Sequence, residues 1–355
     1  MRTFLLAAAL ALASPAMAQV STKWPVSEGD ARFANFRFQS GETLPELTMH
    51  YRTLGSPKRD SKGRITNAIM VLHGTGGTGA QFLRPQFADE LYGPGQPLDI
   101  GKYYIILPDS IGHGGISKPS DGLRMAFPKY DYADMVEAQR RLLVDHLKVT
   151  ELRLLAGTSM GCMHSFVWGT THPGFAKALF PTACLPVEIA GRNRMWRKMS
   201  IDAIEADPLW NGGNYTEQPK SGLRTAAALG LIAGSAPIRM QAEAPTREAA
   251  EKALEGRVEA GMTDDANDVI YRIDSSRTYN PAPLLSKITV PVTWINSADD
   301  FINPPNLRIA EAEVRKMPKA QFVLIPETAE TRGHSTHTWA VFWKQELIDL
   351  LKRSE

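Results

Sequence analysis

The sequence predicts an α/β fold: a mostly parallel sheet flanked by helices and carrying a helical insertion. Three observations point there. Short apolar runs bounded by turn formers recur along the chain and have the unbroken hydrophobicity of strands buried on both faces. Amphipathic helical patterns separate most of them, which is the signature of parallel strands joined by crossover helices. The alternation fails over residues 186–282, where helix formers stand without intervening strands. A length of 355 residues, with 43 % hydrophobic and 22 % charged content, accommodates one such core with a sub-domain and rules out wholesale disorder.

Taken in order, the chain opens with Arg2, an apolar run at 4–13 and the small-x-small triplet Ala16-Met17-Ala18. Residues 1–18 therefore read as a signal peptide cleaved after Ala18, too short in its apolar part to anchor, and the mature protein is expected to be periplasmic or secreted. Residues 33–54 alternate, with Phe33, Phe36, Phe38, Leu47, Met49, Tyr51 and Leu54 set around Gly41 and Pro45, and predict an antiparallel hairpin. Strands follow at 68–72, 103–107, 152–156, 178–183, 290–296 and 321–325. The clearest helix is 131–147, where Met135, Ala138, Leu142, Leu143 and Leu147 recur at helical spacing; a last helix at 337–352 carries Trp339, Phe342, Trp343, Leu347 and Leu351. The core is thus expected over 19–185 and 283–355. The insertion at 186–282, with Met195, Trp196, Met199, Trp210, Met240 and Met262, would lie over the carboxyl ends of the strands, either as a lid or folded on its own small core.

Composition excludes several functions. Lys+Arg 40 against Asp+Glu 38 gives a net charge of +2, no electrostatic footprint for nucleic acid or an anionic membrane surface. The two cysteines, Cys162 and Cys184, are too few for a disulfide framework or a structural zinc site. One opens a helix and the other ends the adjacent strand, so they could pair in an oxidising compartment; the sequence leaves this open. The histidines His73, His113, His146, His164 and His172 show no ligand spacing, and no metal or other cofactor is expected.

Chemistry concentrates in Gly157-Thr158-Ser159-Met160-Gly161, which follows a strand and precedes a helix. Glycines on either side of the serine permit the sharp turn that exposes its hydroxyl, and the Met160 N–H at the helix start would face a developing oxyanion. A serine needs a base, and the base an orienting acid. Asp299 and Asp300 lie in the loop after the 290–296 strand, and His334 and His337 after the 321–325 strand, in the order Ser, Asp, His. His334, preceded by Gly333, is preferred to His337, which is expected to begin the last helix. The loop His73-Gly74-Thr75-Gly76-Gly77-Thr78-Gly79 would supply the second oxyanion donor from Thr75. The same glycines fit a dinucleotide loop, but no acid ends a second strand some 20 residues on and the Lys of a phosphate-binding loop is missing.

With Tyr51-Arg52-Thr53-Leu54-Gly55, Phe127-Pro128, Asp134-Met135-Val136, Ala138-Gln139, Ala203-Ile204, Asp207-Pro208-Leu209-Trp210, Gly213, Tyr215, Pro219 and Gly222-Leu223 added to the serine motif, the chain resembles the α/β-hydrolase superfamily, in its homoserine O-acetyltransferase-like branch, over about residues 47–334. The resemblance implies that Asp300, four residues before Pro304, is the triad acid rather than Asp299. Two features depart from the acetyltransferases: Ile201-Asp202 stands where they usually carry an amino-acid-binding arginine just before the Ala-Ile pair, and export would remove acetyl-CoA. The expected activity is hydrolysis of a small-molecule acyl ester by Ser159, His334 and Asp300, with Thr75 and Met160 as oxyanion donors. An acyltransferase is the alternative among enzymes, and a non-catalytic binding protein the alternative of another class. A homodimer stays open.

Overall fold

The computed structural model describes residues 23–355, so the expected signal peptide lies outside the described residues. Within them a single eight-stranded sheet runs in the order β1-β2-β4-β3-β5-β6-β7-β8. β1 (Ser27–Arg37) and β2 (Thr43–Leu54) form the opening hairpin, and β2 pairs antiparallel with β4 (Tyr104–Pro108). All further pairings are parallel, through β3 (Ala68–Leu72), β5 (Leu154–Thr158), β6 (Leu179–Thr182), β7 (Val292–Ser297) and β8 (Ala320–Ile325). In β3, β4, β5, β6 and β7 every residue is buried, the burial on both faces that their continuous apolar sequences require.

Helices α1 (Pro85–Leu91), α2 (Tyr132–Arg141), α3 (Met160–Thr171), α9 (Ile309–Glu313) and α10 (Lys344–Arg353) flank the sheet. Asp131 caps α2 by accepting from the Ala133 and Asp134 N–H groups, and the helix continues as a π-helical turn at Leu142–His146. The last helix differs from the sequence expectation. It starts at Lys344, and His337 belongs to a 3₁₀ segment, Gly333–Thr338. The reason is packing: Trp343 lies against Phe87 and Phe180, ring centroids 5.7 and 5.3 Å away, holding the preceding residues in tighter turns.

Between β6 and β7 the chain leaves the sheet to form α4 (Gly191–Glu205), α5 (Lys220–Ala233), α6 (Pro237–Glu243), α7 (Arg247–Gly261) and α8 (Ala266–Asp274). Ile201, Ile204, Leu223, Ala266, Ile270 and Ile273 make a separate small core for this unit, with Trp210 and Met262 packed at its edge. Polar contacts fasten α8 to the loop before α2: Ser120 donates to Asp268 through N–H at 2.9 Å and Oγ at 2.7 Å, and the Tyr271 hydroxyl donates to the Phe127 carbonyl at 2.6 Å.

Cys162 and Cys184 are joined in a disulfide, Cα–Cα 5.9 Å, which ties the start of α3 to the chain leaving β6. It closes a loop of sequence separation 22. Such a loop restricts the unfolded chain by about 3 kcal/mol. Cys162→Ser with Cys184→Ser should lose roughly that stability in urea denaturation; an unchanged midpoint would show that the bridge contributes nothing.

Candidate active site

Ser159 sits at the carboxyl end of β5 with φ 54° and ψ −111°, a strained conformation for a residue with a side chain. The neighbouring glycines explain how the turn closes. A Cβ on Gly157 would stand 2.1 Å from the Gly161 carbonyl oxygen, and one on Gly161 would stand 2.1 Å from that of Leu72. The strain is held by backbone bonds on both sides: the Ser159 N–H donates to Thr182 at 2.8 Å and the Gly161 N–H to His73 at 3.0 Å.

Asp300 and His334 reach the serine from the loops after β7 and β8. His334 Nε2 is 2.8 Å from Ser159 Oγ, and His334 Nδ1 is 2.8 Å from Asp300 Oδ2. The Asp300 carboxylate is buried and saturated, accepting also from the Ile302 N–H at 2.8 Å and from Asn303 through N–H at 3.1 Å and Nδ2 at 2.9 Å. Burial alone would raise its pKa; the charge of His334 and the hydrogen bonds from His334 and Asn303 outweigh burial and hold it below the usual carboxylate value. Asp299 points elsewhere. It accepts from Ser297 Oγ, from Thr331 Oγ1 at 2.9 Å and from the Gly333 N–H at 2.8 Å, so it pins the segment leading into His334. His337 is half-buried and packs against His334, ring centroids 5.1 Å apart. Burial, then the adjacent His334, push its pKa down to about 3.

The Thr75 loop runs from β3 past the serine. Among the described residues, neither the Thr75 nor the Met160 N–H is used in a turn, loop or cap hydrogen bond. Both are therefore available as donors, which an oxyanion site requires. Buried imidazoles shape this loop. His73 stands 2.8 Å from the Gly74 carbonyl through Nδ1 while its Nε2 accepts from the Ser110 N–H at 2.9 Å, and His113 Nε2 lies 2.9 Å from the Thr75 carbonyl. Sequence reasoning assigned Asn303 no role, although the Asp-x-x-Asn spacing carries the signal of a turn-capping carboxylate.

A cavity of about 440 Å³ opens at Ser159 and His334, walled by Met163, Cys184, Leu185 and Ile189 from the core side and by Asn193 and Arg197 from α4. Trp196 and Met199, which a lid formed by the insertion could have placed over the pocket, are not in its wall, and Met199 is 54 % exposed. For Met199 the helical phase decides this: Asn193 and Arg197 share one face, and Met195 and Met199 lie on another. Ile201, at the position of the missing arginine, faces the insertion's core. Met163→Ala should shift the preferred acyl chain of p-nitrophenyl esters toward greater length, and Met163→Trp toward acetate; a profile unmoved by both would separate this cavity from acyl binding.

The alpha/beta hydrolase fold family matches residues 67–331. A homoserine O-acetyltransferase of Solidesulfovibrio magneticus is 30 % identical over 283 residues, 75 % of this chain and 68 % of its own. Among solved structures, a homoserine O-acetyltransferase from Bacillus anthracis superposes with a TM-score of 0.81 at 20 % identity, over 92 % of this chain and 98 % of its own. An acetylester hydrolase from Corynebacterium glutamicum does so with a TM-score of 0.79 at 22 % identity, over 92 % and 96 %. At these identities the two structures speak for the fold.

Proposed function

The chain belongs to the α/β-hydrolase family, in its homoserine O-acetyltransferase-like branch, and we propose that it is an exported serine hydrolase that cleaves a small-molecule acyl ester. One observation carries the reading: the hydrogen-bonded succession Ser159 Oγ, His334, Asp300 at 2.8 Å per step. In this mechanism His334 takes the hydroxyl proton as Ser159 attacks the acyl carbon, and Asp300 holds the imidazole in the tautomer whose Nε2 is free to accept. The Thr75 and Met160 N–H groups stabilise the charge that develops on the carbonyl oxygen. His334 returns the proton to the departing alcohol. Water, deprotonated by the same histidine, then releases the acid.

Hydrolysis is preferred to transfer because of the signal peptide expected at 1–18, which would take the protein away from acetyl-CoA; the apolar Ile201 also stands where an acceptor-binding arginine is usual, so an acceptor's carboxylate would need a different cation. Transfer to an acceptor alcohol is the second reading, favoured by the 30 % identity to a homoserine O-acetyltransferase. The test incubates mature protein with acetyl-CoA and L-homoserine and, separately, with a simple acetate ester in water. Ester hydrolysis is expected to be faster; faster formation of O-acetylhomoserine would overturn the proposal in favour of transfer. Covalent labelling by a fluorophosphonate is expected in both cases, and its absence would indicate a non-catalytic protein.

A further inference from the structure

Arg197 forms part of the wall of the cavity onto which Ser159 and His334 open. It is 3 % exposed, and among the described residues its hydrogen-bond partners are neutral: Nε donates to Asn193 Oδ1 at 3.0 Å and Nη1 to Ser276 Oγ at 3.4 Å. A neighbouring cation adds to its isolation, because Arg194 stands close enough to disfavour the charge on Arg197. Arg194 in turn spends its charge on Asp274, and Arg192 lies over the Phe301 ring and donates to the Phe301 carbonyl. A guanidinium taken out of water with no anion beside it is strongly disfavoured unless a ligand supplies that anion.

The groups around Arg197 are also short of acceptors. The Tyr132 hydroxyl, on a residue 1 % exposed, lies beside Arg197, Ser276 and Thr75 without completing a hydrogen bond, and Thr75 Oγ1 is likewise buried without a partner. Each hydroxyl can donate, and an arginine can only donate. Thr75 is also the residue proposed to donate its N–H to the oxyanion, and a Cβ on the adjoining Gly74 would stand 3.3 Å from Ser159 Cβ, so this cluster adjoins the reacting centre. Glu188 sits on the same cavity wall and opposes a doubly charged ligand.

We infer that Arg197, with the Tyr132 and Thr75 hydroxyls, forms a carboxylate subsite, and that the substrate is an ester one half of which carries a free carboxylate. A planar carboxylate matches the guanidinium fork and brings a single charge. The inference rests on the ester-hydrolase reading for its substrate. Its recognition element is separate from the nucleophile and can be tested apart from it.

The experiment measures kcat and KM for wild type, Arg197→Met and Arg197→Lys on two matched pairs. Mono-4-nitrophenyl glutarate against 4-nitrophenyl butyrate places the carboxylate in the acyl half. 3-Acetoxybutanoate against 3-acetoxybutanamide places it in the alcohol half. In at least one pair wild type should prefer the charged member, and Arg197→Met should lower its kcat/KM by about 100-fold, through KM, while the neutral member changes by less than about threefold. Arg197→Lys should retain part of the preference. Arg197→Gln, which can still hydrogen-bond Asn193 and Ser276, replaces the methionine variant if that fails to fold. An equal loss on both members of each pair, or no charged preference in wild type, would assign Arg197 to packing and overturn the subsite. If wild type hydrolyses none of the four esters, the hydrolase reading fails and the subsite is read by calorimetry with glutarate and 3-hydroxybutanoate. Binding to wild type that is lost in Arg197→Met supports the subsite, and no binding of either acid refutes it.

Discussion

Ser159→Ala should leave the fold and the thermal midpoint essentially unchanged, abolish fluorophosphonate labelling and lower ester turnover by roughly 10⁵- to 10⁶-fold. The size follows from geometry. Ser159 Oγ lies 2.8 Å from His334 Nε2, so nucleophile and base act as a unit and removing either removes the covalent route. The fold should survive because alanine occupies the strained φ of 54° no worse than serine, while the backbone bonds that hold the turn do not involve the hydroxyl. A residual rate above about a tenth of wild type would take the nucleophile's role away from Ser159.

Asp300→Asn should lower kcat by about 10⁴-fold with little change in structure. An asparagine amide facing His334 Nδ1 would favour the wrong tautomer, leaving Nε2 protonated against Ser159 and unable to accept. Asp299→Asn acts on a different link. Its oxygens accept from Thr331 and Gly333, so the loss should fall on the placement of the His334 loop. We expect turnover to fall by less than about 100-fold there, accompanied by a stability loss of about 1–3 kcal/mol in denaturant. Rate measurements on both variants, with melting curves beside them, decide the assignment, and the reverse ranking would transfer the acid's role to Asp299.

Much of the fold was legible because its strands are buried on both faces. The run 68–72 corresponds to β3 (Ala68–Leu72) without adjustment, since a strand with no solvent face needs only continuous hydrophobicity. The end of the chain was less legible. Trp339, Phe342 and Trp343 have helical spacing, yet Trp343 is committed to Phe87 and Phe180, contacts remote in sequence that local periodicity does not encode. The candidate site shows the same division. Steric demand around Ser159 is local, and the two glycines declare it; the choice between adjacent aspartates depends on which carboxylate a loop from β8 meets.

The sequence by itself determined the alternation of strands and helices, the break in it between β6 and β7 and the sharp turn at Ser159, because each rests on local sterics or on the period of burial. The tertiary structure alone decided that Asp300 faces His334 while Asp299 holds the Gly333 segment, that Ile201 turns into the insertion's core, and that Arg197, one helical turn earlier, joins the cavity wall. The reason is that these are relations between segments on different strands and helices. Where a side chain points is set by how those elements pack, and residues 34 apart in sequence, such as Asp300 and His334, meet only because β7 and β8 run parallel and deliver their loops to the same edge of the sheet.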